Sequence, residues 1–158
     1  MAENSLSLVL RSGDATASAA ALLASQLRSG DTILLHGTIG AGKTHFARAI
    51  VQSLLTAPED VPSPTFTLVQ TYQTRFGPLW HSDLYRIGAM DEIEELGLLD
   101  AFDVAICLVE WPDRLGTLCP ASALNIWLED GTNEDERKLT ATWVDTRWDP
   151  KMTCWTKL

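Results

Sequence analysis

Residues 33 to 52 read Ile-Leu-Leu-His-Gly-Thr-Ile-Gly-Ala-Gly-Lys-Thr-His-Phe-Ala-Arg-Ala-Ile-Val-Gln. The spaced pattern G-x-x-x-x-G-K-[ST] is complete within them, at Gly37, Gly42, Lys43 and Thr44. An apolar, β-branched run precedes the pattern, and a segment of helical apolar periodicity follows it. The order of these parts predicts a strand, a tight glycine loop and a helix.

The predicted loop has the composition of a phosphate-binding site. Glycines let successive backbone N–H groups turn towards one anion, and the helix that follows points its positive end at the same place. Lys43 supplies a mobile charge that can reach the β- and γ-phosphates, and the Thr44 hydroxyl can ligate Mg²⁺. The backbone of the cradle would come from Gly37, Thr38, Ile39, Gly40, Ala41 and Gly42. The alternative is a glycine-rich turn followed by an unrelated lysine. It does not account for the complete pattern together with its flanking elements, so we predict that a nucleoside triphosphate and Mg²⁺ bind here.

Length and charge limit what else the chain can be. Its 158 residues suffice for a sizeable core, and we expect a single domain over residues 1–158. The net charge of −9 disfavours direct binding of a nucleic-acid backbone, which a partner would then have to hold; the alternative is that the acidity only aids solubility. Three cysteines without C-x-x-C spacing indicate neither a disulfide framework nor a zinc site. No leader and no bilayer-length apolar run is evident, so we expect a cytoplasmic protein without membrane contact.

Hydrophobic periodicity and turn residues divide the chain into strands and helices. Helices are predicted from Ser12-Gly13-Asp14 to near Gly30, from Lys43 to about Leu55, and at Met90–Leu99, with a loop from Trp111 to Pro120. Strands are predicted at Leu6–Leu10, Thr32–Leu35, Phe66–Gln73, Leu79–Ser82, Val104–Val109, Leu124–Leu128 and Lys138–Val144. These elements predict an α/β, P-loop NTPase-like three-layer sandwich with a mixed, mostly parallel central sheet and a C-terminal antiparallel hairpin.

Two carboxylates end predicted strands and are candidates for the metal side of the site. Glu110 closes the apolar run Val104–Val109, and Asp83 closes a shorter strand. Either could ligate Mg²⁺ or orient the attacking water, and the sequence leaves that choice open. The alternative for both is a carboxylate that merely leaves a strand for solvent.

Two further residues lie close to these carboxylates in the sequence. Thr65 follows the proline-stiffened stretch Pro62-Ser63-Pro64, where a threonine could sense the γ-phosphate and Mg²⁺ as in small GTPases; otherwise it only begins a strand. His81 precedes Asp83 by two residues, but Mg²⁺ prefers oxygen ligands, so we leave His81 out of the metal site and interpret it as a hydrogen-bonded structural residue.

With these residues identified, the chain resembles the TsaE (YjeE) family of ATPases in bacterial tRNA threonylcarbamoyladenosine biosynthesis. The resemblance extends in order over most of the chain. Its motifs are a helix that carries Thr16, the loop Gly37–Thr44, Ser63-Pro64-Thr65-Phe66, His81-x-Asp83-Leu84-Tyr85-Arg86, Glu110-Trp111-Pro112, and a C-terminal hairpin that begins at Arg137.

The resemblance implies an ATPase that works with TsaB and TsaD in placing threonylcarbamoyl on adenosine 37 of tRNA. It implies ATP and Mg²⁺ as cofactors and contact with tRNA only through the complex. We expect hydrolysis by the chain alone to be slow, because no arginine finger is evident in the sequence. By the same match Lys43 and Thr44 handle phosphates and metal, Asp83 and Glu110 are the functional carboxylates, Thr65 is the switch-like residue, and Thr16 and Arg137 border the adenine. Thr38-Ile39 stands where the family commonly has Asp-Leu, which puts any role of an acidic side chain there in doubt.

Two other functions remain compatible with the loop. A small-molecule kinase usually carries an arginine-rich lid, and no arginine cluster is present. A nucleotide-gated binding module would signal by ordering a loop, although the Asn-Lys-x-Asp motif of a GTP switch is lacking.

Overall fold

The computed structural model describes residues 2–65, 67–156 and 158. Seven strands form one sheet: β1 Asn4–Leu10, β2 Thr32–His36, β3 Val69–Thr74, β4 Gly77–Asp83, β5 Ile106–Glu110, β6 Leu124–Asp130 and β7 Arg137–Trp143. The helices are α1 Gly13–Ala24, α2 Lys43–Leu54, α3 Met90–Glu95, α4 Leu98–Val104 and α5 Trp148–Lys151, with 3₁₀ segments at Pro112–Leu118 and Met152–Trp155. No helix in these described ranges is long and apolar enough to span a bilayer.

The sheet has the strand order β1-β7-β6-β2-β5-β4-β3. Strand β2 pairs in parallel with β5 and β6, and β5 also pairs in parallel with β4. The pairs β1·β7, β6·β7 and β3·β4 are antiparallel. Because β1 is antiparallel to β7, which is antiparallel to β6, five of the seven strands run in one direction. The prediction of a mixed, mostly parallel sheet with a C-terminal hairpin is confirmed.

Helices cover both faces of the sheet, and the central strands are buried on both sides. In β2, Ile33 and Leu35 pack into the core beneath α1 and α2, whereas Leu34 packs into the core beneath α3 and α4. Alternate residues of β5 divide between the two cores in the same way. Burial on both faces is why these strands read as continuous apolar runs.

Two predicted boundaries were wrong, namely the end of α1 and the start of β5. Helix α1 ends at Ala24 rather than near Gly30, and the chain then turns so that the Arg28 N–H donates to Asp31 Oδ2 at 2.9 Å. Val104 ends α4 and is 63% exposed, so β5 begins two residues later, at Ile106.

Three further boundaries differ from the prediction. The acidic helix is divided in two at Gly97, whose φ is +80°. The predicted loop 111–120 contains the 3₁₀ segment Pro112–Leu118. Strand β3 begins at Val69, after Leu68 with φ +68°, whereas its predicted start, Phe66, lies outside the described residues. The apolar pattern of the sequence therefore predicts where an element lies more accurately than it predicts the residues at which the element begins and ends.

Candidate functional site

The glycine loop joins the end of β2 to the start of α2, as the sequence predicts. Gly37 has φ +146°, and a Cβ built on it would lie 2.6 Å from the Leu128 carbonyl oxygen. Gly42 precedes α2 with φ +99°, in the left-handed region that favours glycine. The loop conformation therefore depends on residues without a Cβ at its first and last positions.

Lys43 is buried beside this loop, and its ammonium already has two contacts. Nζ donates a hydrogen bond to the Gly37 carbonyl oxygen at 2.6 Å and lies 3.4 Å from the centroid of the Trp111 ring. Burial lowers the pKa of Lys43 below its usual range, while the nearby carboxylates of Glu110, Asp83 and Asp113 oppose that shift. Lys43 is thus a partly desolvated cation next to acidic side chains. An anion bound beside it would stabilise its charged form.

The two predicted carboxylates lie side by side because their strands are adjacent and in register. Asp83 pairs with Glu110 across the parallel strands β4 and β5, so both carboxylates lie at the carboxyl end of the sheet. The Thr44 hydroxyl, from the first turn of α2, donates to Glu110 Oε1 at 2.8 Å. A hydroxyl and two carboxylates offer the oxygen ligands that Mg²⁺ prefers.

His81 contacts this cluster, which the sequence interpretation had not anticipated. Its Nε2 lies 2.6 Å from Glu110 Oε2, and both side chains are buried. The sequence signal was the two-residue spacing from Asp83, which places His81 and Asp83 on the same face of β4. Pairing with a residue of the neighbouring strand is not visible from that spacing.

Thr65 reaches the cluster from the segment that precedes β3. Its hydroxyl donates to Asp83 Oδ2 at 3.4 Å and lies 2.7 Å from the Ser63 hydroxyl. The other Asp83 oxygen, Oδ1, accepts the Tyr85 N–H at 3.0 Å. Asp83 is therefore held on both oxygens, one by backbone and one by a hydroxyl.

These groups line one cleft of about 240 Å³ at the mouth of the loop. Its lining consists of Ile39, Gly40, Lys43, Thr44, Thr65, Asp83, Tyr85, Glu110 and Trp111. Every predicted catalytic and metal residue is in that set, whereas Thr38 is exposed and lines neither this cleft nor the next. Within the described ranges no group of three or more His, Cys, Asp or Glu side chains is placed to hold a metal by itself.

A second cleft of about 210 Å³ lies on the other side of Gly42. Thr16 of α1 and Arg137 of β7 both line it, so the structure brings together the two residues expected to border the adenine. Arg137 Nε donates to the Ala41 carbonyl oxygen at 3.2 Å, which joins this cleft to the loop. Gly13, His45 and Asp135 complete its lining and were not identified from the sequence.

Comparison with known proteins gives a consistent result for this chain. A family profile described as threonylcarbamoyl adenosine biosynthesis protein TsaE matches residues 10–139. The tRNA threonylcarbamoyladenosine biosynthesis protein TsaE of Rickettsia felis is 38% identical over 122 residues, which are 77% of this chain and 71% of that protein. The protein of the same name from Bacillus subtilis is 37% identical over 135 residues, 85% of this chain and 83% of that protein. The crystal structure of Bacillus subtilis YdiB superposes with a TM-score of 0.76 at 28% identity, covering 97% of this chain and 95% of that one.

Proposed function

Since this chain belongs to the TsaE family of threonylcarbamoyl adenosine biosynthesis proteins, we propose that it is a Mg²⁺-dependent ATPase that supports threonylcarbamoyl transfer to adenosine 37 of tRNA. It does so in the cytoplasm with a TsaB–TsaD heterodimer, and it meets tRNA only through that complex. Its sheet and helices are those of a P-loop NTPase-like three-layer sandwich.

One observation carries the ATPase proposal. The loop lysine, the hydroxyl after it and the two strand-end carboxylates line a single cleft, in which Thr44 Oγ1 lies 2.8 Å from Glu110 Oε1. Residues separated by up to 67 positions in the sequence meet there. A glycine-rich turn that binds no ligand would not explain why one cation, one hydroxyl and two carboxylates line the same cleft.

The residues present fit ATP and Mg²⁺. The loop has a glycine at Gly37, where a Cβ would collide with Leu128, and again at Gly42, so main-chain N–H groups can approach a phosphate closely. The oxygen donors number two carboxylates and one hydroxyl, which suits Mg²⁺ because this ion is usually held by one or two carboxylates together with the phosphates of the substrate.

Each side chain has a defined task in this proposal. Lys43, whose ammonium donates to the Gly37 carbonyl oxygen, would bind the β- and γ-phosphates. Thr44 and Glu110, which are joined by a hydrogen bond, would hold Mg²⁺, and this ion when bound would neutralise charge on the phosphate oxygens. Asp83, which accepts a hydrogen bond from Thr65, would orient the attacking water. Tyr85 and Trp111 line the outer wall and limit water access.

The second cleft supplies the base-binding part of the site. Thr16 and Arg137 would border the adenine, and the bond from Arg137 to Ala41 would link the position of the base to that of the loop. The Thr16 hydroxyl is itself held by the Ser12 carbonyl at 3.1 Å, so this wall is formed by the first turn of α1.

The experiment measures ATP hydrolysis by the purified chain, alone and with TsaB–TsaD, together with mass analysis of threonylcarbamoylated tRNA. Lys43→Ala should lower turnover about 100-fold or more because it removes a cation that stabilises charge on the transferring phosphoryl group. Glu110→Gln should have an effect of about the same size because it weakens the binding of Mg²⁺. Lys138→Ala and Glu129→Gln are matched controls, since both residues are exposed on the hairpin and line neither cleft.

Unchanged turnover in both site variants would reject the ATPase proposal. ADP formed only after a nucleoside or metabolite is added would indicate a small-molecule kinase instead. If both variants still complemented tRNA modification while ATP altered partner affinity, the chain would be a nucleotide-gated binding module.

A further inference from the structure

We propose that His81 is a positioning residue, which holds one oxygen of Glu110 so that only the other oxygen, Oε1, faces the cleft. The inference rests on the proposed function in one respect, namely that Glu110 serves the nucleotide and its metal. It assigns a role to a side chain that the mechanism above does not use.

The contact is built by the register of two adjacent strands. His81 in β4 pairs with Leu108 in β5, and Glu110 lies two residues further along β5 on the same face. His81 Nε2 is 2.6 Å from Glu110 Oε2, and the Thr44 hydroxyl is 2.8 Å from Glu110 Oε1. The carboxylate is therefore held at both oxygens, by the neighbouring strand on one side and by α2 on the other.

One ring nitrogen of His81 has a hydrogen-bond partner, and the other has none among the described residues. A carboxylate can only accept, so the bond to Glu110 requires the hydrogen on His81 Nε2. Among the described residues none offers a hydrogen-bond partner to His81 Nδ1, which is also buried.

A packing role does not explain this residue. An apolar side chain of similar volume would fill the same space without a desolvated nitrogen, whereas His81 carries one that is unpaired within the described part of the chain. The free-energy cost of burying that nitrogen is understandable if the other nitrogen performs a task. The task available is to fix Glu110, since the terminal torsion of a free glutamate is broad and would let either oxygen face the cleft.

The consequence is that Glu110 presents a single oxygen of fixed direction next to Thr44. Groups that orient a ligand in this way commonly change metal affinity or activity by about 10–100-fold when they are removed. The phosphate cradle is formed by main chain and Lys43, so it should be indifferent to His81.

Two amide variants of different side-chain length test this role. In His81→Gln the amide nitrogen can occupy about the position of Nε2 and donate to Glu110, whereas the shorter amide of His81→Asn cannot reach it. We expect His81→Asn to lower kcat for ATP hydrolysis by about 10–100-fold and to raise the Mg²⁺ concentration needed for half-maximal rate, with little change in KM for ATP. His81→Gln should restore most of kcat, and both variants should bind ADP like the wild type when Mg²⁺ is absent.

A second measurement needs neither turnover nor a variant. Nuclear magnetic resonance of ¹⁵N-histidine-labelled protein should show the His81 hydrogen on Nε2, and Glu110→Gln should shift that signal while leaving the exposed His45 as an internal control. Absence of a hydrogen on His81 Nε2, or equal kcat in wild type and His81→Asn, would overturn the inference. So would His81→Gln being as slow as His81→Asn at equal stability. If the wild type itself shows no ATP hydrolysis, the proposed function fails, and the tautomer measurement together with Mg²⁺-dependent nucleotide binding by the two variants still decides the role of His81.

Discussion

Gly37 is where the glycine loop leaves β2, and its surroundings leave no room for a side chain. In Gly37→Ala the new Cβ would meet the Leu128 carbonyl oxygen at 2.6 Å, at a residue with φ +146°. Gly40, three residues later, also has a positive φ of +82° but nothing within 4 Å of a built Cβ. We expect Gly40→Ala to destabilise the fold by about 1–2 kcal/mol from backbone strain alone, and Gly37→Ala by about 1–3 kcal/mol more from the collision.

Urea unfolding of the two variants measures this difference directly. Because both carry the same chemical change in the same loop, Gly40→Ala is the control for general loop strain. Equal losses of stability would contradict the close approach of Gly37 to β6. ATP binding by folded Gly37→Ala should also weaken, since relief of the collision must shift the main chain of the cradle.

His36, which ends β2, has an expected pH signature in stability. Its ring stacks on Trp127 with centroids 4.3 Å apart, and Nε2 bonds to Asn125 Oδ1 at 2.9 Å. Burial lowers the pKa of His36 below its usual value, with the Asn125 bond and Asp113 opposing and Lys43 adding to the effect. As pH falls through the usual histidine pKa of about 6.5, the unfolded chain takes up the proton first, so the free energy of unfolding should fall.

His36→Phe keeps a ring on Trp127 and removes the titrating group. We therefore expect its unfolding free energy to decline less than that of the wild type between pH 7.5 and about 5. The variant loses the bond to Asn125 at every pH, so the slope and not the absolute stability is the measure. Parallel slopes for the two proteins would show that His36 does not contribute to the pH dependence.

Some residues of the site can be identified from a local sequence pattern, and others cannot. Lys43 and Thr44 are named by a complete spaced pattern, and Glu110 and Asp83 by their place at strand ends, so all four could be selected without a structure. Glu110, the partner of His81, lies 29 positions away in the sequence. The contact depends on β5 being the neighbour of β4, and the order of strands cannot be predicted from any single segment. For the same reason, local sequence did not identify His45 and Asp135 as lining the second cleft.

At the scale of elements, the N-terminus of α1 offers a direct test of local structure. Ser12 has extended backbone angles, and its hydroxyl accepts the Ala15 N–H at 3.0 Å, so Ser12 caps the helix. Ser12→Ala should lower the free energy of unfolding by about 1 kcal/mol. Ser18→Ala on the exposed side of the same helix is the control and should change stability by less than about 0.5 kcal/mol. Equal effects in thermal or urea unfolding would contradict the capping role.

Elements were predicted well where the sequence patterns agree and less well where one pattern fits two kinds of structure. The strand, loop and helix around Lys43 follow from hydrophobic period and glycine spacing together, and they appear where expected. At Val104 the apolar residue continues a run that looks like a strand, yet it completes the last turn of α4 and faces solvent. The 3₁₀ segment after Trp111 has mixed composition and a kink at Gly116, and its Leu115 packs into the core beneath α3 and α4.

At the scale of the whole molecule, the segment after β7 completes the core beneath the glycine loop. The TsaE family profile ends at residue 139, and α5 with the following 3₁₀ segment lies beyond it. Trp148 and Trp155 are nonetheless fully buried in the same core as α1 and α2. Trp155 Nε1 donates to the Ala19 carbonyl oxygen of α1 at 2.9 Å, and α1 packs directly on α2, so the C-terminus supports the helix that follows the loop.

Trp155→Ala should therefore destabilise the whole fold by about 3–5 kcal/mol, since it leaves a large cavity between the C-terminal segment and α1. Leu158→Ala, three residues later and 60% exposed in the wild type, is the control and should change stability by less than about 0.5 kcal/mol. Trp155 lines neither cleft, so the folded fraction of Trp155→Ala should bind ATP with nearly wild-type affinity at low temperature. Unfolding in urea measures the first effect and nucleotide titration the second. A loss below about 1 kcal/mol would mean that the core beneath α1 does not depend on the contact with Trp155.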